Sequence, residues 1–253
     1  MSTWVLLRGL TRESRHWGGF AQTLREQVPD ARLVPLDLPG NGRLNALRTP
    51  RSVEEMAEFA RAELRRQGVA PPYHVLAMSL GAMVTVAWSR DHPQELAACV
   101  LINTSLRPFS PFTHRLRPAS AVTLLRLMLL ARTDREWEET ILRMTSRHRE
   151  RHPAVLDDWL AWRRENPVAR ANALRQLLAA ARFRAPLAKP EPPMLILASA
   201  QDALVDPRCS RQLASRWGVA IAEHASAGHD LPLDDGPWVA AQVRDWLARA
   251  APP

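Results

Sequence analysis

Cysteine is scarce in this chain. Only Cys99, within an apolar run, and Cys209, near the start of a helical stretch, occur among 253 residues. Two thiols so placed make neither a disulfide framework nor a metal site, and a reducing cytoplasm is the expected location. Long apolar runs are missing as well. The most apolar stretch, "AVTLLRLMLLA" at 121–131, is eleven residues long and carries Arg126, whereas a membrane-spanning helix needs roughly 20. The opening "MSTWVLLRGL" enters strand-like sequence at once, without the basic segment, apolar core and cleavage site of a signal peptide. No membrane partner is expected. There is no P-loop, no G-x-G-x-x-G after a strand and no Cys/His cluster at metal-ligand spacing, so neither a cofactor nor a metal is expected.

Lysine is nearly absent too: Lys189 is the only one, and arginine carries the positive charge. The formal net charge is +8, and between Leu106 and Arg184 sixteen arginines stand against eight carboxylates, so the whole excess falls in that segment. Such an excess is either a solvated arginine face or the mark of an anionic partner. No nucleic-acid motif accompanies it, and nucleic acid is not expected.

With 46% hydrophobic residues, a chain of this length can bury a full core. Short apolar runs recur with helix-like stretches between them: "TWVLLR", "ARLVPLD", "YHVLAM", "ACVLINT", "PMLILAS" and "VAIAEH". This alternation predicts an α/β fold, a mostly parallel sheet with helices on both faces. Linking helices are predicted at 16–27, 52–67, 81–91, 207–216 and 237–248, with Ser52 and Glu55 forming a capping box. The alternation breaks after "LINTS". From 106 to 185 only helical segments separated by prolines are found, among them "DREWEETILRMTSRHR" at 134–149, which predicts a helical lid inserted into a core made of residues 1–105 and 186–253. The Leu, Met and Trp residues of the lid are expected mainly to form its own core.

Ser79 lies between a strand-like run, "YHVLAM", and a helix-like one, "GAMVTVAW". A strand that passes into a helix through one residue turns sharply, and the small residues Ala77 and Gly81 let the two elements approach. The turn lifts the hydroxyl above the sheet edge and aims the first helical N–H groups at whatever it attacks. A serine hydroxyl becomes a nucleophile only when a base takes its proton and a third group orients that base. In an open parallel sheet these groups come from loops at the carboxyl ends of strands. "PMLILASAQDALVDP" offers Asp202 and Asp206, and "EHASAGHDLPLDD" offers His229 and Asp230. Asp202 comes first after its strand, where a short side chain reaches inward. Asp206 precedes Pro207 and reads as a helix N-cap. His16, His74, His92 and His114 lack the context of His229, although His16 is close enough to the first loop to line a pocket.

The order Ser79, Asp202, His229 resembles the nucleophile, acid, base order of the α/β-hydrolase fold. The sequence is similar to the small esterase branch of that superfamily, and resembles pimeloyl-acyl-carrier-protein methyl ester esterases. The likeness runs through "LLRGL", "DLPGNGR", "AMSLGA", "SAQDALV" and "AGHDLPL". It implies an oxyanion hole made by the backbone N–H groups of Leu10 and Leu80. Two positions depart from the family pattern: Ala77 stands at the first Gly of G-x-S-x-G, and Arg8 replaces the His before Gly9. Arg8 is either a cation beside the pocket or half of a structural ion pair. The resemblance implies hydrolysis of a small-molecule carboxylic ester or thioester through an acyl-enzyme on Ser79, with an acidic acyl carrier protein or a coenzyme A ester received at the basic lid. Carbon–carbon bond hydrolysis or a lyase step with the same three residues is the alternative within the fold. A non-enzymatic sensor of a small ligand is the alternative outside it.

Overall fold

A strand covered on both faces exposes neither set of alternating side chains, so it reads as a continuous apolar run. In the first strand Val5 and Leu7 enter one apolar layer while Trp4 and Leu6 enter the other. The computed structural model describes residues 1–250. It contains strands β1 (Ser2–Leu7), β2 (Ala31–Leu36), β3 (Tyr73–Met78), β4 (Leu96–Ile102), β5 (Met194–Ser199) and β6 (Ala220–His224). They form one sheet in the order β2-β1-β3-β4-β5-β6, and every pairing is parallel. All six predicted strands are present. The order turns back on itself at β1 and β3, so the loops after those strands share one crevice at the carboxyl edge.

Helices α1 (Phe20–Gln27), α2 (Val53–Arg66) and α3 (Leu80–Asp91) fall in the first part of the chain. The middle segment holds α4 (Phe112–Arg115), α5 (Pro118–Leu130), α6 (Asp134–Thr145), α7 (Val155–Glu165) and α8 (Arg170–Arg182), and the chain closes with α9 (Arg208–Trp217), α10 (Leu231–Asp234) and α11 (Gly236–Ala250). Helices α2, α3 and α9 cover one face of the sheet, and α1 and α11 the other. Met56, Ala60 and Leu64 of α2 recur every four residues and are fully buried. Each of the two larger side chains contributes roughly 1.5–3 kcal/mol. Helix α3 is buried around nearly its whole circumference.

Three local expectations are revised. The helix predicted at 16–27 is broken at Gly18, where φ is +49°, leaving a 3₁₀ turn at Ser14–Trp17 and a shorter α1. At α2 the Ser52 hydroxyl accepts the Glu55 N–H (3.2 Å), but the Glu55 carboxylate takes the N–H of Arg51 (2.9 Å) instead of that of Ser52. Helix α6 stops at Thr145 although its helical pattern runs on. Buried Asp234 accepts from the Ser146 hydroxyl (2.5 Å) and the Arg147 N–H (2.9 Å), pulling the chain out of the helix.

Helices α5 to α7 share their own apolar cluster, including Leu124, Leu127, Trp137, Ile141 and Trp159. Among the described residues no helix is long and apolar enough to cross a membrane. The two thiols are free and buried, and burial pushes Cys99 up to about 12.

Candidate active site

Ser79 occupies the single-residue turn from β3 into α3 with φ +55° and ψ −115°. For a residue with a Cβ this conformation costs of order 1–3 kcal/mol and persists only when its surroundings fix it. They do: the Ser79 N–H donates to the Ile102 carbonyl (2.9 Å), and the Ser79 carbonyl accepts from Ala82 (3.1 Å) and Met83 (3.2 Å). A Cβ on Gly81 would stand 2.5 Å from the Leu7 carbonyl oxygen, so only glycine lets α3 start this close to the end of β1. The Ala77 methyl group fits within the core. On the other side, a Cβ on Gly9 would be 3.1 Å from that of Ser79, which places the loop after β1 against the serine. The Leu80 N–H is the first of its helix and has no intrahelical partner, and the Leu10 N–H makes no backbone bond among the described residues.

His229 reaches the same place from the loop after β6. Its Nδ1 is 2.6 Å from Asp202 Oδ2, with both side chains buried. Asp202 Oδ1 accepts from the N–H groups of Leu204 (2.8 Å) and Val205 (2.9 Å), which fixes the carboxylate. With Nδ1–H donating to that carboxylate, Nε2 is the nitrogen left with a lone pair, as a base requires. Asp206 is elsewhere engaged. It accepts from the Arg208 N–H (3.0 Å) and its guanidinium at the start of α9, and this pairing holds its carboxyl well below the usual range.

Ser79, His229, Gly9 and Leu10 line one cavity, whose walls include Leu124, Met128, Trp137, Ile141 and Met144. A second lobe, with Met83, Phe112, Leu116 and Ala181, meets the first at Ser79, Leu10, Leu124, Leu177 and Leu204. The lobes hold about 740 and 590 Å³ of empty space, open solvent at their mouths included. Several of the Leu, Met and Trp residues assigned to the core of the helical segment therefore also face the serine.

Arg8 combines both of its expected roles. It lines the cavity, and it is held by Asp230 through two hydrogen bonds (2.5 and 3.1 Å), with its guanidinium 4.8 Å from the centre of the Trp17 ring. Arg12, also in the wall, pairs with buried Glu138 (2.7 Å) and stacks 4.1 Å from the Trp159 ring centre. Both cations are neutralised, so the cavity presents apolar surface with internally balanced charge. His16 does not line it. The ring lies beyond Arg12, 5.4 Å from Trp159 and 5.1 Å from Trp162, in an outer groove. Burial, followed by the charges of Arg12 and Arg8, holds its pKa well below 6.5. His74 stacks on Trp4 at 4.9 Å, and His92 meets Glu58 at 2.8 Å, both away from the cavity.

Three positioning residues, Asn103, Asp234 and Gln176, escape sequence reasoning, and the role of a fourth, Asp230, is not assigned by it. Asn103, at φ +45° just after β4, donates to the His229 carbonyl (2.8 Å) and to Ser199 (2.9 Å). An asparagine after a strand tolerates this conformation, and that was its one signal. Asp230 holds Arg8, and Asp234 also accepts the Gly228 N–H (2.6 Å). Gln176 of α8 accepts the N–H of Thr11 (2.8 Å), the residue after Leu10, itself at φ +57°. The amide of Gln176 donates to Asn41 Oδ1 (2.8 Å). Nothing local marks their roles, because Arg8, Ser146, Arg147, Thr11 and Asn41, with which they pair, lie far away in sequence. Among the described residues no group of three or more His, Cys, Asp or Glu side chains gathers to hold a metal.

A hydroxyl on a strained turn, two backbone N–H groups without a backbone partner and a buried imidazole–carboxylate pair are the parts that acyl transfer needs. The same fold is found in a thermophilic esterase from Thermogutta terrifontis, 20% identical, with a TM-score of 0.77 over 98% of this chain and 90% of that one. An enol-lactonase from Burkholderia xenovorans is 18% identical, with a TM-score of 0.80 over 98% of this chain and 91% of that one. An esterase from a Rhodococcus species is 20% identical, with a TM-score of 0.75 over 98% and 90%. No curated protein matches the sequence. The model of the Alpha/beta hydrolase family matches residues 4–242, and the chain belongs to that family.

Proposed function

We propose that the protein is a serine hydrolase that cleaves a carboxylic ester or thioester through an acyl-enzyme on Ser79. The observation that carries this reading is the buried bond between His229 and Asp202 beside the cavity that Ser79 lines. Ser79 Oγ attacks the carbonyl carbon as His229 Nε2 takes its proton, and Asp202 stabilises the resulting imidazolium. The Leu10 and Leu80 N–H groups hold the oxyanion. Collapse breaks the bond to the leaving oxygen or sulfur, which receives the proton from His229. Water then repeats the sequence on the acyl-enzyme and releases the acid. Two apolar lobes that meet at Ser79 suit a substrate with an uncharged apolar group on each side of the carbonyl. The esterases and the enol-lactonase among the structural neighbours favour carbon–oxygen over carbon–carbon cleavage.

The test is initial rates on p-nitrophenyl esters from acetate to long chains, comparing wild type with Ser79→Ala and Asp202→Asn. Each variant is expected to lose about 10⁴-fold or more in kcat. Ester turnover that survives in Ser79→Ala overturns the reading. Inactivity on every ester, with cleavage of a dienone, moves the assignment to carbon–carbon hydrolysis.

A further inference from the structure

Helix α5 is apolar on both sides. Leu124 and Leu127 face inward, as their burial shows, while Val122, Leu125, Leu129 and Leu130 are at least half exposed. Leucines on the outer side of a helix belong against protein or lipid, and these are exposed. Helix α8 repeats the arrangement: Asn172, Ala173 and Gln176 are buried, while Leu174 and Leu178 are more than 40% exposed (46% and 41%). The two helices are neighbours, since the Arg170 guanidinium donates to the Ala131 carbonyl at the end of α5. Both wall the Ser79 cavity, through Leu124 and Leu177. Phe112 lines the second lobe and is 58% exposed, so it marks that lobe's rim.

The charge of the middle segment is segregated on the same elements. Residues 106–133 and 166–184 hold nine arginines and no carboxylate, whereas residues 134–165 hold seven arginines and eight carboxylates. The basic excess noted in the sequence therefore lies wholly on the stretches around α4, α5 and α8. Arg126, Arg132, Arg175 and Arg182 enter no ion pair among the described residues; the arginines of this segment that do are Arg117, Arg135 and Arg163. Arg175 is close enough to Arg48 and Arg51 for their charges to add to desolvation in lowering its pKa, and exposed Leu47 immediately precedes Arg48 in the chain.

We propose that α5 and α8, with Phe112 and the Leu47–Arg51 loop, form a surface that docks on an anionic lipid interface, the leucines entering the acyl layer and the unpaired arginines meeting the headgroups. Exposed apolar side chains ringed by unpaired cations are the pattern of interfacial helices. A second copy of this chain is a poorer occupant. An isologous contact would set this acid-free surface against itself, arginine opposite arginine. A folded acidic protein would match the arginines yet would need an apolar face of its own, while a lipid surface supplies both at once. On the ester reading above, on which only this consequence rests, the substrate is an amphiphilic ester that passes from the interface between α5 and α8 to Ser79.

The experiment is co-sedimentation with vesicles of phosphatidylcholine alone or with about one-third phosphatidylglycerol, at low salt and at about 0.5 M salt. Wild type is expected to bind the anionic vesicles, to ignore the neutral ones and to be released by salt. Ser79→Ala is expected to bind like wild type, so binding and chemistry fail separately. Leu125→Asn/Leu129→Asn and Arg126→Gln/Arg175→Gln should each bind roughly ten-fold or more weakly. Both should hydrolyse a soluble short-chain ester at the wild-type rate, which shows that they fold. Absent binding, equal binding to neutral vesicles, or undiminished binding by the leucine variant overturns the proposal. So does a solution dimer that the leucine substitutions dissociate, or an acidic acyl carrier protein that binds while vesicles do not.

Discussion

Replacing Gln176 by leucine removes both hydrogen-bonding groups from a side chain that is 1% exposed while keeping nearly its volume. Two buried groups lose their partner: the Thr11 N–H, now 2.8 Å from Gln176 Oε1, and Asn41 Oδ1, 2.8 Å from its amide nitrogen. At about 1–3 kcal/mol for each unsatisfied group, stability should fall by about 2–6 kcal/mol. The functional effect follows from position. Thr11 follows Leu10 at a positive φ of +57°, and Gln176 is what holds that turn from the α8 side. Complete loss of one oxyanion donor costs about 10²–10³ in kcat. A loosened Leu10 N–H should therefore cost about ten- to a hundred-fold in kcat, with KM changed by less than about two-fold. Gln176→Glu retains an acceptor for the Thr11 N–H and should keep most of kcat despite its own loss of stability. The assay pairs ester kinetics with urea unfolding. A folded Gln176→Leu enzyme with full kcat, or a Gln176→Glu enzyme as slow as Gln176→Leu, refutes this role and leaves the glutamine as packing alone.

Three other outcomes follow from the geometry. Gly81→Ala would force a Cβ to 2.5 and 2.7 Å from the carbonyl oxygens of Leu7 and Arg8. Because backbone must move, urea unfolding should show a loss of about 3 kcal/mol or more, and a loss below about 1 kcal/mol would mean that α3 is free to shift. Arg8→Met leaves Asp230 buried without its partner and should cost about 3–5 kcal/mol; the double variant Arg8→Met/Asp230→Leu should recover most of that, and failure to recover would point to a separate role for the arginine. Glu95 accepts two hydrogen bonds from Arg61 (2.6 and 2.7 Å), which, with the Trp88 N–H, hold its pKa at about 2 against an ordinary 4.5. A carboxyl whose pKa falls on folding stabilises the protein above its unfolded value, here by about 2–3 kcal/mol at neutral pH. The stability gap between wild type and Glu95→Gln should thus be full at pH 7, narrow below pH 4.5 and close near pH 2. A gap independent of pH would place the Glu95 contribution in packing.

The sheet is legible in the sequence because each strand is covered on both faces, so that "TWVLLR" or "PMLILAS" is apolar without interruption. Ser79, Asp202 and His229 stand out because the loop directly after a strand has few structural reasons to carry such groups. The same local logic separated Asp206, beside Pro207, from Asp202. It failed where a distant residue overrides local preference: Asp234 ends α6 at Thr145, and Arg12 with the Trp159 and Trp162 rings draws His16 away from the cavity.

The sequence by itself determined the order of the elements, the serine turn with its small neighbours, and the position of the charge excess, since each depends on near neighbours along the chain. Only the tertiary structure decided that Arg8 is neutralised by Asp230, that Gln176 braces Thr11, and which face of α5 stays outside. These depend on pairings across more than a hundred residues and on the packing of a helix with apolar residues on both sides, whose periodicity cannot say which side is covered.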